Sequence, residues 1–379
     1  MDKSLNSKLK IKSTNVNLLK FVAALLVILC HAYPITDNGV DILSRYTNGA
    51  CNFGGFAVGI FFFFSGLYVA KSFSRVDTIW NYFKKRIERI FPQLIIVVLL
   101  SAFVLGPIIT SLSVGEYFSN KSTYLYLLNA VLIPVHDLPG VFQGGSFQTV
   151  NGPLWTMPVE FACYIMLAVI VFLAYLASKK TRSSTKGESI NSKPAKVLLW
   201  LAVFVFVVAF FYVNFILKND FLVSVVRPII LFTLGCLYYE YRESIKLNLG
   251  VGLIALLGLA VSGFAGFFSI GMILFLPYCI VEFTLGIPQI RADWKIFKLS
   301  YEMYLFGWPI QQVVLGFFDH KMPALMNMII TVPFDIILAY ILFSIIEKWE
   351  ECKKKRKKDK ESLNKDIVND EKLSGADDE

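Results

Sequence analysis

Charge is scarce in this chain. Only 17% of its 379 residues are Asp, Glu, Lys or Arg, and they cluster between long apolar runs. Histidine is scarcer still, with three in all. Six cysteines (Cys30, Cys51, Cys163, Cys236, Cys279, Cys352) lack paired spacing, which argues against a disulfide framework or a metal site. The apolar runs are continuous rather than alternating, which excludes a membrane β-barrel. No short-period repeat is evident. No small-residue cleavage site follows a short apolar core near the N-terminus, so the first run is expected to remain an uncleaved helix. The net charge of +9 matches the loop bias of an inner-membrane protein, and nothing suggests nucleic-acid binding.

What is abundant is apolar surface. The chain is 56% hydrophobic, with 34 Phe, against about 45–50% apolar for a soluble domain. Its runs approach the roughly 20 residues a bilayer-spanning helix needs. The expected fold is an all-α integral membrane protein of about ten transmembrane helices with both termini cytoplasmic. Residues 1–15, carrying Lys3, Lys8, Lys10 and Lys12, form a cytoplasmic segment. Residues 16–347 form the transmembrane domain. Spans are expected near 17–35, 54–70, 91–110, 154–177, 197–216, 222–240, 249–267, 270–287, 300–318 and 324–346. Basic loops at 71–89, 179–196 (Lys179, Lys180, Arg182, Lys186, Lys193, Lys196) and 288–298 (Arg291, Lys295, Lys298) belong inside. Residues 348–379, opening on KKKRKK, read as a disordered charged tail. Residues 111–153 read as an external segment with a re-entrant or membrane-lying helix, because YLYLLNAVLIPV is too short to span comfortably. Its Gly-rich end, GVFQGGSFQTVNGPLW, is irregular backbone of the kind that lines cavities.

The chemistry centres on His31, inside the first span and eleven residues beyond Lys20. At 1.5 Å per residue it lies about 16 Å further along the helix. An imidazole in hydrocarbon is costly without a partner or a task, and histidine moves protons near neutral pH. The alternative is a structural histidine bonded to a neighbouring helix. Glu160, six residues into the fourth span, is expected at a similar depth in the outer half. A His–carboxylate pair is a recurrent acid/base unit; a packing contact between two polar residues is the alternative. Arg86 and Arg89 share a helix face if the helix begins before Pro92. Two guanidiniums on one face suit a phosphorylated ligand or lipid headgroups. Trp155 and Thr156 are expected at the outer mouth of the fourth span. Asp335 and Glu282 are intramembrane or interfacial acids, each open to pairing with a basic neighbour. His136 and His320 read as solvated loop residues.

Five segments in order resemble the membrane acyltransferase 3 family, over about residues 15–346. They are Lys20 with His31; GGFAVGIFFFFSG, ending in Ser65-Gly66; Arg86, Arg89 and Pro92; LWTMPVEFACY, with Trp155, Glu160 and Tyr164; and LSYEMYLFGWPIQQ. Two departures stand out. Lys20 replaces the usual Arg and lacks its planar fork. Gly307 stands where many members have His. The resemblance implies transfer of an acyl group, commonly acetyl, from cytoplasmic acyl-CoA to a sugar hydroxyl of a surface polysaccharide or its lipid-linked precursor, in a bacterial inner membrane. On that basis His31 and Glu160 are catalytic, and Lys20, Arg86 and Arg89 bind the acyl-CoA cosubstrate. Trp155, Ser65 and Tyr164 face substrate, and no metal is needed. The alternative is a transporter for a lipid-linked sugar or organic anion. It predicts coupling-ion sites and two related halves, and the sequence displays neither.

Overall fold

A computed structural model describes residues 4–10, 13–76, 78–177, 192–291, 294–319 and 321–374. His320, Lys3, Lys12, Lys179, Lys180, Arg182 and Lys186 lie outside the described residues. Among the described residues the fold is helical, with one isolated antiparallel bridge, Ser4–Lys246. The helices are α1 (Leu5–Leu9), α2 (Thr14–Ile35), α3 (Ile42–Tyr46), α4 (Phe53–Phe73) and α5 (Ile79–Leu100). A π turn, Ser101–Leu105, extends α5 into α6 (Gly106–Ile109). Next come α7 (Val114–Ser119), α8 (Lys121–Leu125), α9 (Thr156–Ala177), α10 (Lys193–Phe211) and α11 (Asp220–Glu240). The last are α12 (Leu249–Phe264), α13 (Phe268–Leu274), α14 (Leu276–Val281), α15 (Ser300–Phe317) and α16 (Ala324–Ser374).

The long helices start where a short polar side chain satisfies an orphan backbone N–H. Ser13 caps α2, Asn52 caps α4, Thr78 caps α5, Ser192 caps α10 and Asn219 caps α11. Helix α5 begins thirteen residues before Pro92, so Arg86 and Arg89 do share a helix.

Each of the ten segments expected to span is helical, but they are not equivalent. Among the described residues seven helices are long and apolar enough to cross a membrane, or eight if the pair Phe268–Leu274 and Leu276–Gly286 is one span bent by 53°. Helix α12 has only 16 residues. Helix α15 carries Glu302, Gln311 and Gln312, all buried, which lower its apolarity because it faces other helices rather than lipid. Residues 121–131 form one short α-helix and a 3₁₀ turn, too short to cross. The charged tail is a second departure: α16 continues to Ser374. Glu350 with Lys354 and Glu351 with Lys355 have the (i, i+4) spacing that supports a helix.

Two sets of turns close the bundle. At one end the backbone N–H of Leu5 donates to Ile245, and Ser13 bonds Gln289. Near that end Lys295 pairs with Glu347 at 3.1 Å, and Lys353 pairs with Glu88. The N-terminal segment and α16 therefore leave on the same side. At the other end Asn38 donates to the Met322 carbonyl and Tyr46 to the Ala260 carbonyl.

Helices α4 and α11 approach most closely, and two glycines permit it. A Cβ on Gly66 would lie 1.9 Å from the Phe232 carbonyl oxygen, and one on Gly235 would lie 2.2 Å from the Phe63 oxygen. Small residues let backbones meet where both surroundings are apolar.

Candidate active site

The site forms where α2, α4, α5, α9 and α15 converge around a cavity of about 430 Å³. Lys20 enters from α2, Ser65 from α4, Arg86 and Arg89 from α5, Glu160 and Tyr164 from α9, and Tyr301 and Tyr304 from α15. Lys298, just before α15, adds a fourth basic side chain to the lining.

At its centre Glu160 Oε1 accepts hydrogen bonds from Ser65 Oγ, at 2.9 Å, and from the Tyr164 hydroxyl. The two hydroxyls are themselves 3.2 Å apart. Tyr82 OH donates to the Tyr164 carbonyl at 3.0 Å and anchors that turn of α9. Lys20 lies within electrostatic reach of both Glu160 and Arg89, and its ammonium sits over Phe64 and Tyr68 at 5.2 and 5.4 Å. Arg86 is buried over Tyr164 and donates to Ser72 Oγ at 3.1 Å. Arg89 is exposed, above the Tyr301 ring. The arrangement is a cationic mouth leading to aromatic walls and a bound carboxylate. It suits an anionic headgroup followed by a narrow, less polar arm.

The Gly-rich segment descends into this bundle along α15. Gln312 Nε2 donates to the Phe147 carbonyl, Trp308 Nε1 to Thr149, and Tyr304 OH to Pro153, while Asn151 Nδ2 donates to Leu305. From Gln312 to Tyr304 is eight residues, about 12 Å of helix. Irregular backbone at this depth is tolerated because side chains of α15 satisfy its carbonyls. The descent explains a departure from the sequence reading. Glu160 is only four residues into α9, yet it lies level with Lys20, because α9 starts from the bottom of that segment.

His31 is therefore not paired with Glu160. Its ring meets Trp308 edge-on, with centroids 4.9 Å apart, and it makes no hydrogen bond among the described residues. His31 and Lys20 do share a face of α2, since eleven residues are close to three turns. Trp308 stands one turn of α15 beyond Tyr304, which lines the cavity. His31 thus lies about one turn past the cavity wall and is not part of its lining. Trp155 is also outside the lining: it packs on Phe221 of α11 at 5.6 Å, and its neighbour Thr156 faces the cavity instead, bonded to Tyr304 OH at 2.7 Å. The structure adds Tyr301 and Tyr304 to the lining, both from the LSYEMYLFGWPIQQ segment. Asp335 and Glu282 are buried away from the cavity lining.

The model of a family described as an acyltransferase domain matches residues 13–346. The chain belongs to this acyltransferase 3 family. A curated relative named O-acetyl transferase, from Shigella phage Sf6, is 27% identical over 355 residues, covering 89% of this chain and 96% of the relative. No solved structure matches. Within the acyltransferase, the Arg86–Arg89 run and the Ser65, Glu160 and Tyr164 positions come from three separate segments of the sequence. The fold joins them in one cavity.

Proposed function

We propose that this acyltransferase moves an acyl group, acetyl in the simplest case, from cytoplasmic acyl-CoA to a sugar hydroxyl of a cell-surface polysaccharide or its lipid-linked precursor. The membrane would be a bacterial inner membrane, with the basic end of the bundle cytoplasmic. The observation that carries this reading is the single cavity joining Lys20, Arg86 and Arg89 to the Ser65–Glu160–Tyr164 cluster, with His31 one turn beyond. The relative's name, O-acetyl transferase, supports the same chemistry.

In this proposal the phosphates of the donor meet Arg89, Arg86 and Lys20. The pantetheine arm follows the aromatic wall towards Tyr304. Glu160, held by two hydroxyls, orients Ser65 and Tyr164 on the donor and balances the cationic mouth. Among the described residues His31 has no competing hydrogen bond, and it takes the proton of the acceptor hydroxyl as its oxygen attacks the thioester carbonyl. The C–S bond breaks, and the leaving thiolate takes that proton from the imidazolium. In a relay version His31 carries the acyl group first and passes it on. The segment 147–153, above Trp308, borders the acceptor.

The test is ester analysis of surface glycans, with acetyl transfer measured in isolated membranes, for wild type and His31→Ala. Loss of the ester and of transfer at equal protein level is expected. Wild-type transfer by the variant removes His31 from the mechanism.

A further inference from the structure

Helices α15 and α16 form an antiparallel hairpin whose inner seam is polar. Asn327, Thr331 and Asp335 are spaced by four residues and lie on one face of α16, and each is 0% exposed. Opposite them, Gln311 is also 0% exposed. Gln311 Nε2 donates to the Ile28 carbonyl of α2 at 2.8 Å and to Asn327 Oδ1 at 3.1 Å, and Asn327 returns a bond to the Gln311 carbonyl. That network still leaves oxygens from three side chains without partners. They are Gln311 Oε1, Thr331 Oγ1 and both carboxylate oxygens of Asp335. The Asp335 carboxylate points to Gly307, one turn from Gln311: a Cβ there would lie 3.9 Å from Asp335 Oδ2 and 3.0 Å from Ile28 Cγ1.

A buried carboxylate with no partner is heavily penalised in an apolar bundle. The sequence allows Asp335 a basic neighbour, but among the described residues its carboxylate has no partner. A proton would cancel the charge, but its single O–H can serve only one of Thr331 and Gln311. A divalent ion would leave a net positive charge. A small monovalent cation bound beside Asp335 would cancel the charge and take up the free oxygens of Thr331, one turn along α16, and of Gln311, and an all-oxygen donor set suits a hard ion. We propose that Asp335, Thr331 and Gln311 form a site for a sodium-sized cation that clamps α15 and α16 against α2 one turn below His31.

The site depends on neither the acyl donor nor the acceptor, so its test needs no turnover. The full-length protein, purified into lipid nanodiscs, is melted in sodium, potassium or choline chloride at equal ionic strength. Sodium is expected to raise Tm by a few degrees, saturably, as a ligand of the native state does. Asp335→Asn should abolish the sodium response. Thr331→Val, which removes one donor, should shift the half-saturating sodium concentration upward. Equal Tm in all three salts overturns the proposal, as does a sodium response that survives Asp335→Asn. If that variant does not fold, Thr331→Val decides: an unchanged half-saturating concentration overturns the site.

Discussion

Ser65 on α4 donates a hydrogen bond of 2.9 Å to Glu160 on α9, across 95 residues of sequence. Tyr164, one turn beyond Glu160, donates to the same oxygen. Two hydroxyls on one carboxylate oxygen fix its direction. They also hold a negative charge beside Lys20 and Arg89.

Breaking that cluster should slow transfer without unfolding the bundle. Glu160→Gln is expected to lower the rate about 100-fold, the scale of a misplaced positioning group. Ser65→Ala, which leaves the Tyr164 bond intact, should cost roughly tenfold. Initial rates of acetyl transfer in membranes, normalised to protein level, make the comparison; equal rates for all three proteins would refute a role for the cluster.

Arg89 is the exposed member of the cationic mouth, so its loss should act on binding. Arg89→Ala is expected to raise KM for acetyl-CoA about tenfold with kcat little changed, the size of one lost charge-assisted contact. The same variant should match wild type when acetyl-pantetheine, which lacks the nucleotide phosphates, is the donor. An equal defect with both donors would place Arg89 outside the phosphate site.

Trp308 has two duties that substitution can separate. Trp308→Phe keeps an aromatic ring against His31 but loses the Nε1 bond to the Thr149 carbonyl. Proteolysis of 143–149 should then accelerate while Tm changes little. Trp308→Ala loses both contacts and should lower transfer as well. Unchanged cleavage of the Phe variant would mean that the bonds of Gln312, Asn151 and Tyr304 hold the segment without it.

Gly66 and Gly235 set the distance between α4 and α11. Gly66→Ala puts a methyl group 1.9 Å from a backbone oxygen that has no flexible end to move. The expected cost is about 1–3 kcal/mol, seen as a lower Tm and lower yield. Gly115, with nothing within 4 Å of its Cβ position, is the control, and Gly115→Ala should be neutral. A neutral Gly66→Ala would mean the helices separate at little cost.

Helix positions were readable because apolar run length is a local property. The spans expected at 17–35, 54–70 and 222–240 fall inside α2, α4 and α11, while α5 starts well before the 91 expected for the third span. The Arg86–Arg89 face was readable for the same reason. The depth of Glu160 was not. Counting residues from the expected mouth of the fourth span ignores the extended segment that Trp308, Gln312 and Tyr304 draw into the bundle. The tail misled in another way: its composition suggested disorder, while its Glu–Lys spacing favours a continued helix.

Composition and local periodicity determined by themselves that this is a helical membrane protein, roughly where its helices lie, and which few polar residues sit in apolar surroundings. Which of those residues meet was decided only by packing. Glu160 went to Ser65 and Tyr164, His31 went to Trp308, and Asp335 was left beside Gly307 with no hydrogen-bond partner among the described residues. The reason is physical: a helix fixes the direction of a side chain within a turn or two, but its partner is set by how neighbouring helices slide and rotate, and glycines such as Gly66, Gly235 and Gly307 act on that step.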